Sequence, residues 1–179
     1  MAYKPISPTL EEALFDEGEL MVTHANLDGE ITYCNDIYCR VIETCTADVL
    51  GQTMSFSWHP DMPRSLVKRI METDPNGREL FLYIKHITNS GKFVWVLVQI
   101  SALLNTDDEH IGFNSVRRHV KPDVVRQIDD LYRSIKSEEL RHDDPDEAML
   151  AGERLLNTML ADQGHDYPEF IWSVMDTER

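Results

Sequence analysis

The chain has 179 residues, 42% of them hydrophobic, and a formal net charge of -15 from 32 acidic against 17 basic side chains. That length suits one domain with an appended element, and that hydrophobic share supports a core and excludes global disorder. The acidic excess repels phosphate backbones and anionic membranes, so neither nucleic-acid nor membrane partners are expected.

Residues 1–18 read as an N-terminal cap, in which Leu10, Ala13 and Leu14 predict a helical turn. Glu19–Ala25 is extended, and Asp28-Gly29 supplies hairpin chemistry before a returning strand, Glu30–Cys34. Asn35 or Asp36 caps a short helix through Ile42, and Thr46-Ala47-Asp48 begins another, closed by Gly51. Met54–Pro63 is irregular, and the helix after it turns Leu66 and Ile70 inward before Pro75-Asn76-Gly77 ends it. Three strands follow. In Arg78–Ile87, Leu80, Leu82, Ile84 and His86 share one face, and Phe81, Tyr83 and Lys85 the other. Lys92–Leu104 has bulky apolar groups on both faces, so one face needs a cover beyond the short helices. Ile111–Val120 is the last strand.

Past it, Val124, Ile128, Leu131 and Ile135 make one apolar helical stripe. Asp144 caps a further helix with Pro145 at its first position, and Phe170, Ile171, Trp172, Val174 and Met175 mark an apolar final segment. The division is 1–18 cap, 19–121 central domain, 122–142 connecting helix and 143–179 helical C-terminal extension. Five strands joined by tight connections, with helices inserted between hairpins, give an α+β domain. The extension either folds back on this domain, pairs with a second copy, or docks a separate output protein.

Cys34, Cys39 and Cys45 match neither a CxxC pair nor a zinc knuckle and read as reduced thiols. With no apolar leader over Met1–Leu10 and no run of about 20 apolar residues, a cytoplasmic location is expected. No Ser-His-Asp order, phosphate-cradling glycine loop or HExxH pattern is present, so no enzymatic activity is expected.

The element order resembles a PAS domain, and Gly29-Glu30-Ile31-Thr32-Tyr33-Cys34-Asn35-Asp36 resembles that family's strand-to-helix junction. His59-Pro60-Asp61-Met62-Pro63 is similar to a run in PAS domains of the aerotaxis-receptor type. Lys85, Gly91, Trp95-Val96, Gly112, Ser115-Val116-Arg117 and Leu131-Tyr132 follow in the same order, so the resemblance covers roughly residues 15–135. It implies a five-stranded antiparallel sheet with short helices on one face, and a sensor that reports redox or oxygen status to a chemoreceptor or kinase-like protein. FAD is the first cofactor it implies, held by Trp58, His59, Asp61, Leu80, His86 and Trp95. The chain departs from the type at Trp58, Leu80, His86 and Met71, where arginine, tryptophan, asparagine and tryptophan are usual. A cofactor-free homodimerisation or protein-interaction module and a haem-based gas sensor are the alternatives. Ser55-Phe56-Ser57-Trp58 stands where the light-sensing branch carries its flavin-adduct cysteine, so adduct photochemistry is not expected.

Several of these residues have a structural reading beside the functional one. His59 could cap the loop into the following helix, His86 could be a satisfied core histidine, and Trp95 could be packing. Arg117 and Arg118 are expected to pair with nearby acids.

Overall fold

The structure, a computed structural model, describes residues 6–71 and 79–176. Eleven elements occur among them: β1 Met21–Asn26, β2 Ile31–Cys34, α1 Asp36–Ile42, α2 Thr46–Val49, α3 Ser65–Met71, β3 Leu80–Ile87, β4 Phe93–Leu104, β5 His110–His119, α4 Pro122–Glu139, α5 Pro145–Ala161 and α6 Tyr167–Asp176. The strands form one antiparallel sheet in the order β2-β1-β5-β4-β3. The expected α+β fold, with five antiparallel strands and inserted helices, is therefore present. Arg78 and the Pro75–Gly77 stop lie outside the described residues, and β3 is described from Leu80.

Local chemistry explains the first half. Gly29 takes a φ of 78° in the β1–β2 turn, a left-handed backbone that glycine adopts without a Cβ penalty. Asn35 Oδ1 accepts from Tyr38 N and from Val22 N, each at 3.0 Å, and its Nδ2 donates to Leu20 O at 2.8 Å. One side chain thus caps α1 and ties it to β1.

The sheet is curled, and one loop spans its opening. At the β2 edge, Ile31 N donates to Gln52 O at 2.7 Å and Met54 N to Gly29 O at 2.8 Å. At the β3 edge, Ile87 N donates to Ser57 O and His59 N to Lys85 O, both at 2.8 Å. A flat five-stranded sheet would hold its edges about 19 Å apart. The stretch from Met54 to Ser57 reaches about 10 Å, so the two edges have curled toward each other.

The two faces are covered differently. The inner face carries Leu82, Ile84, Val94, Val96, Val98 and Ile100 beside Tyr38, Val41 and Ile42 of α1, all buried, and Leu66 and Ile70 of α3 are buried in the same continuous core. The outer face carries Phe81, Tyr83 and Trp95, and the C-terminal helices supply the cover that the sequence requires. Trp95 packs on Tyr132 of α4, with ring centroids 6.0 Å apart, and Phe81 on Trp172 of α6, at 5.5 Å. Val124, Ile128, Leu131 and Ile135 are all buried, each contributing about 1.5–3 kcal/mol. The extension folds back: Lys68 of α3 pairs with Glu153 of α5 at 2.6 Å.

The N-terminal segment is not the expected helical turn. Thr9 N donates to Gly91 O at 2.8 Å, Ala13 N to Phe93 O at 2.7 Å, and Phe93 N to Glu11 O at 2.9 Å, so the segment runs beside the start of β4. Leu10 and Leu14 point to solvent. With only Ala13 of the three against the core, the stripe cannot offset helix nucleation, and sheet pairing satisfies the same backbone groups.

Candidate functional site in the sheet and helix core

Beneath α1, the inner face holds a chain of buried polar groups. Tyr38 OH lies 2.8 Å from Ser57 Oγ, which lies 2.8 Å from His86 Nδ1. Ser57 belongs to the loop that pairs with β3, and His86 to β3 itself. The Tyr38 and His86 rings meet edge-on with centroids 6.4 Å apart. Across the Tyr38 ring, the Arg117 guanidinium carbon stands 5.6 Å from its centroid, and Arg117 Nη1 donates to Thr23 Oγ1 at 3.0 Å. Thr23, Ser57, His86, Ser115 and Arg117 are all buried.

Burial, reinforced by the Arg117 charge, lowers the His86 pKa to about 3, so the imidazole is neutral. Burial raises the Tyr38 phenol, so it stays protonated. When the proton of Ser57 Oγ is donated to His86 Nδ1, the imidazole hydrogen sits on Nε2. That nitrogen is buried without a partner among the described residues, as are Arg117 Nε and the Trp58 indole Nε1.

The six residues expected to contact a cofactor do not converge. Trp58 and His86 face each other as an isolated antiparallel pair, which puts both side chains on one side of the sheet. Leu80 follows the same alternation, opposite Ile100. Trp95 is on the outer face under α4. His59 and Asp61 sit beyond the β3 edge beside Lys85, whose Nζ lies 2.7 Å from Asp61 Oδ2. Burial and then Lys85 lower the His59 pKa, so the neutral ring accepts the Asp61 N–H at Nδ1, 3.2 Å away, a turn-capping contact. Burial pushes the Asp61 carboxyl up, but the Lys85 hydrogen bond and nearby cations outweigh it and leave the pKa below the ordinary value.

Sequence reasoning missed Tyr38, Ser57 and Thr23 as members of this cluster, and Arg117 corrects an expectation. Arg117 makes no ion pair with a carboxylate among the described residues. The available signal was the alternation of β5, which puts Phe113, Ser115 and Arg117 on the face that must be buried. Among the described residues no His, Cys, Asp and Glu group is arranged to hold a metal, and no helix is long and apolar enough to cross a membrane.

The profile of the PAS fold family matches residues 21–118, more than half of the chain. The chain belongs to the PAS fold family. Two proteins of Oryza sativa subsp. japonica, phototropin-1A and phototropin-1B, are each 24% identical to it over 127 residues, 68% of this chain and 14% of theirs. The PAS chain thus spans about one-seventh of the length of these curated relatives.

Three solved structures are similar in fold. The PAS domain of a protein from Colwellia psychrerythraea gives a TM-score of 0.51 at 13% identity, over 56% of this chain and 86% of that one. A light-oxygen-voltage domain studied with a flavin analogue gives 0.51 at 16%, over 69% and 87%. The light state of the blue-light photoreceptor aureochrome-1 LOV domain gives 0.52 at 17%, over 62% and 88%. All three likenesses lie below 25% identity and show a shared PAS fold.

Proposed function

We propose that this PAS module senses a change within its inner polar cluster and passes it to a partner protein through α3 and the helices α4–α6. The supporting observation is the double attachment of α3. Its Leu66 and Ile70 are buried in the hydrophobic core, while its first turn is held by α4: Glu139 Oε2 accepts from Arg64 N and Oε1 from Ser65 N, both at 2.9 Å. A shift of α3 driven from the core therefore pulls on α4. The exposed surface of α4–α6 is where a second copy or a signalling protein would read that shift.

A flavin does not fit the inner face in this arrangement. Cofactor pockets enclose about 300–1,000 Å³, and a void of that size leaves accessible surface on its lining. Tyr38, Leu66, Ile70, Leu82, Ile84, His86, Val96, Val98 and Ile100 are each at most 1% exposed. The same packing opposes a haem at His86. We therefore read the sensor as working without either group, and assign no step to one.

Two measurements test the reading. The purified chain is expected to be colourless; a flavin or haem absorption band would overturn the cofactor reading. Ser57→Ala removes the middle of the Tyr38–Ser57–His86 chain, and amide exchange along 122–176 reports transmission. Faster exchange is expected at the end of α4 and in α5. A change confined to residues 36–71 and 80–119 would overturn it.

A further inference from the structure

We propose that Cys34 and Cys39 form a reversible oxidation site, closing to an intrachain disulfide with hydrogen peroxide as the oxidant. The site is argued from the two thiols, and only its signalling consequence rests on the sensory reading.

Cys34 ends β2, where it is paired with Thr23 of β1, and Cys39 lies in α1. Asn35 caps α1 between them, and Cys39 N donates to Asn35 O at 3.2 Å. Cys39 therefore sits one helical turn past the cap, where a side chain tilts back toward the helix N-terminus and the end of the strand. The two Sγ atoms lie 3.5 Å apart, and both cysteines are free. Their separation in sequence announces nothing; the strand-to-helix junction makes the pair. Sulfur atoms in a disulfide stand about 2.05 Å apart, so closure needs an approach of about 1.5 Å, within reach of side-chain torsions. The third thiol is engaged elsewhere, Cys45 Sγ donating to Asp48 Oδ2 at 3.1 Å.

The two thiols divide the chemistry between them. Cys39 is half-buried, with its Sγ 3.6 Å from Thr46 Oγ1 on the exposed side, so an oxidant reaches it first; Cys34 is buried. The Cys39 thiolate attacks one oxygen of hydrogen peroxide: an S–O bond forms, the O–O bond breaks, and the departing hydroxide takes up the proton that the thiol released, giving water. Cys34 Sγ then attacks the sulfenic sulfur. The S–S bond forms, the S–O bond breaks, and hydroxide leaves with the Cys34 proton as a second water. Two thiols are thus oxidised by two electrons, and one peroxide is reduced to two waters. Burial and the neighbouring Cys39 push the Cys34 thiol up to about 11, so it stays protonated until its partner is oxidised. The new bond would tie α1 to β2 beside Tyr38, the residue before Cys39, and so bears on the Tyr38–Ser57–His86 chain.

The test treats the reduced full chain with hydrogen peroxide, alkylates it, and maps tryptic peptides without reduction. The peptide ending at Arg40 carries Cys34 and Cys39, and Cys45 falls in the next one. The first peptide is expected to lose two hydrogens and refuse alkylation, dithiothreitol to reverse both changes, and Cys45 to remain alkylated. Cys39→Ser should abolish the oxidation of Cys34, and Cys34→Ser should leave Cys39 as a sulfenic acid that dimedone captures. Cross-links through Cys45, or a sulfinic acid at Cys39 with no disulfide in the wild type, overturn the proposal. If neither variant folds, the wild-type peptide map decides in the same two directions. Amide exchange of the oxidised against the reduced chain reads the consequence, with slower exchange in α1 and altered exchange in α4–α6 expected. A closed disulfide that leaves α4–α6 unchanged would count against the sensory reading alone.

Discussion

Glu139 Oε1 accepts the backbone N–H of Ser65 at 2.9 Å, joining the last turn of α4 to the first turn of α3 across 74 residues of sequence. Oε2 does the same for Arg64, and Lys136 Nζ donates to Met62 O at 3.2 Å beside it. Glu139→Ala leaves two N–H groups without their acceptor and is expected to cost about 2–4 kcal/mol. Glu139→Gln keeps one acceptor oxygen and should cost about half as much. Urea denaturation measures both, and exchange of the Ser65 amide locates the loss. An unchanged Ser65 amide in Glu139→Ala would show that the contact is not what fixes α3.

Gly152 of α5 makes room for that carboxylate. A Cβ there would meet Glu139 Oε1 at 2.8 Å and Ile135 Cγ2 at 3.1 Å. Alanine gains about 1 kcal/mol of helix propensity, against about 1–3 kcal/mol for overpacking. Glu139 is tethered by two N–H groups and cannot step aside, so Gly152→Ala should destabilise. In a Glu139→Ala background the same change should stabilise by roughly 1 kcal/mol. A substitution with the same sign in both backgrounds would break the argument.

His86 gives a pH dependence. Its folded pKa, about 3, lies below the unfolded value near 6.5, so between these limits the unfolded chain binds a proton that the native chain refuses. Stability is full above about pH 6.5 and falls as pH drops, by about 1.4 kcal/mol per unit from this residue. His59, also lowered, adds in the same direction. Denaturation midpoints between pH 7 and 5 check this above the range where carboxylates titrate. His86→Leu should flatten the slope; an unchanged slope would mean that His86 takes up its proton in the native state.

The cysteines should alkylate in a fixed order. Cys45 is exposed, Cys39 half-buried and Cys34 buried, with a thiol pKa raised to about 11 by burial and by the neighbouring Cys39. Only the thiolate attacks, so Cys34 should react slowest. Peptide mapping after timed iodoacetamide treatment at pH 8 reads the order. Labelling of Cys34 ahead of Cys45 would contradict the placement of β2 against α1.

Strand and helix positions were largely legible in the sequence because they rest on local chemistry: Asn35 as a cap, Gly29 in a turn, the alternation of β3 and β4. The stripe from Val124 to Ile135 forecast a covered helix, and α4 is that helix. The N-terminal segment was misjudged because its partner, the start of β4, is some 80 residues away. The candidate site was legible only in part. His86 and Trp58 could be named, but their pairing depends on the loop reaching the β3 edge, which no local pattern encodes. Arg117 was hidden by its charge: an arginine in an acidic chain suggests a surface ion pair, and only the sheet register reveals that it points inward.

The loop that closes the curled sheet also restricts how copies of this chain could associate. Residues 51–54 occupy the outer hydrogen-bonding side at the start of β2, and residues 57–59 occupy that at the end of β3. Those stretches, residues 29–31 at one border and 85–87 at the other, therefore offer no unused main-chain groups on which another chain could extend the sheet. A dimer formed over those stretches would have to use side chains, and would be tuned by surface substitution without any change in strand pairing.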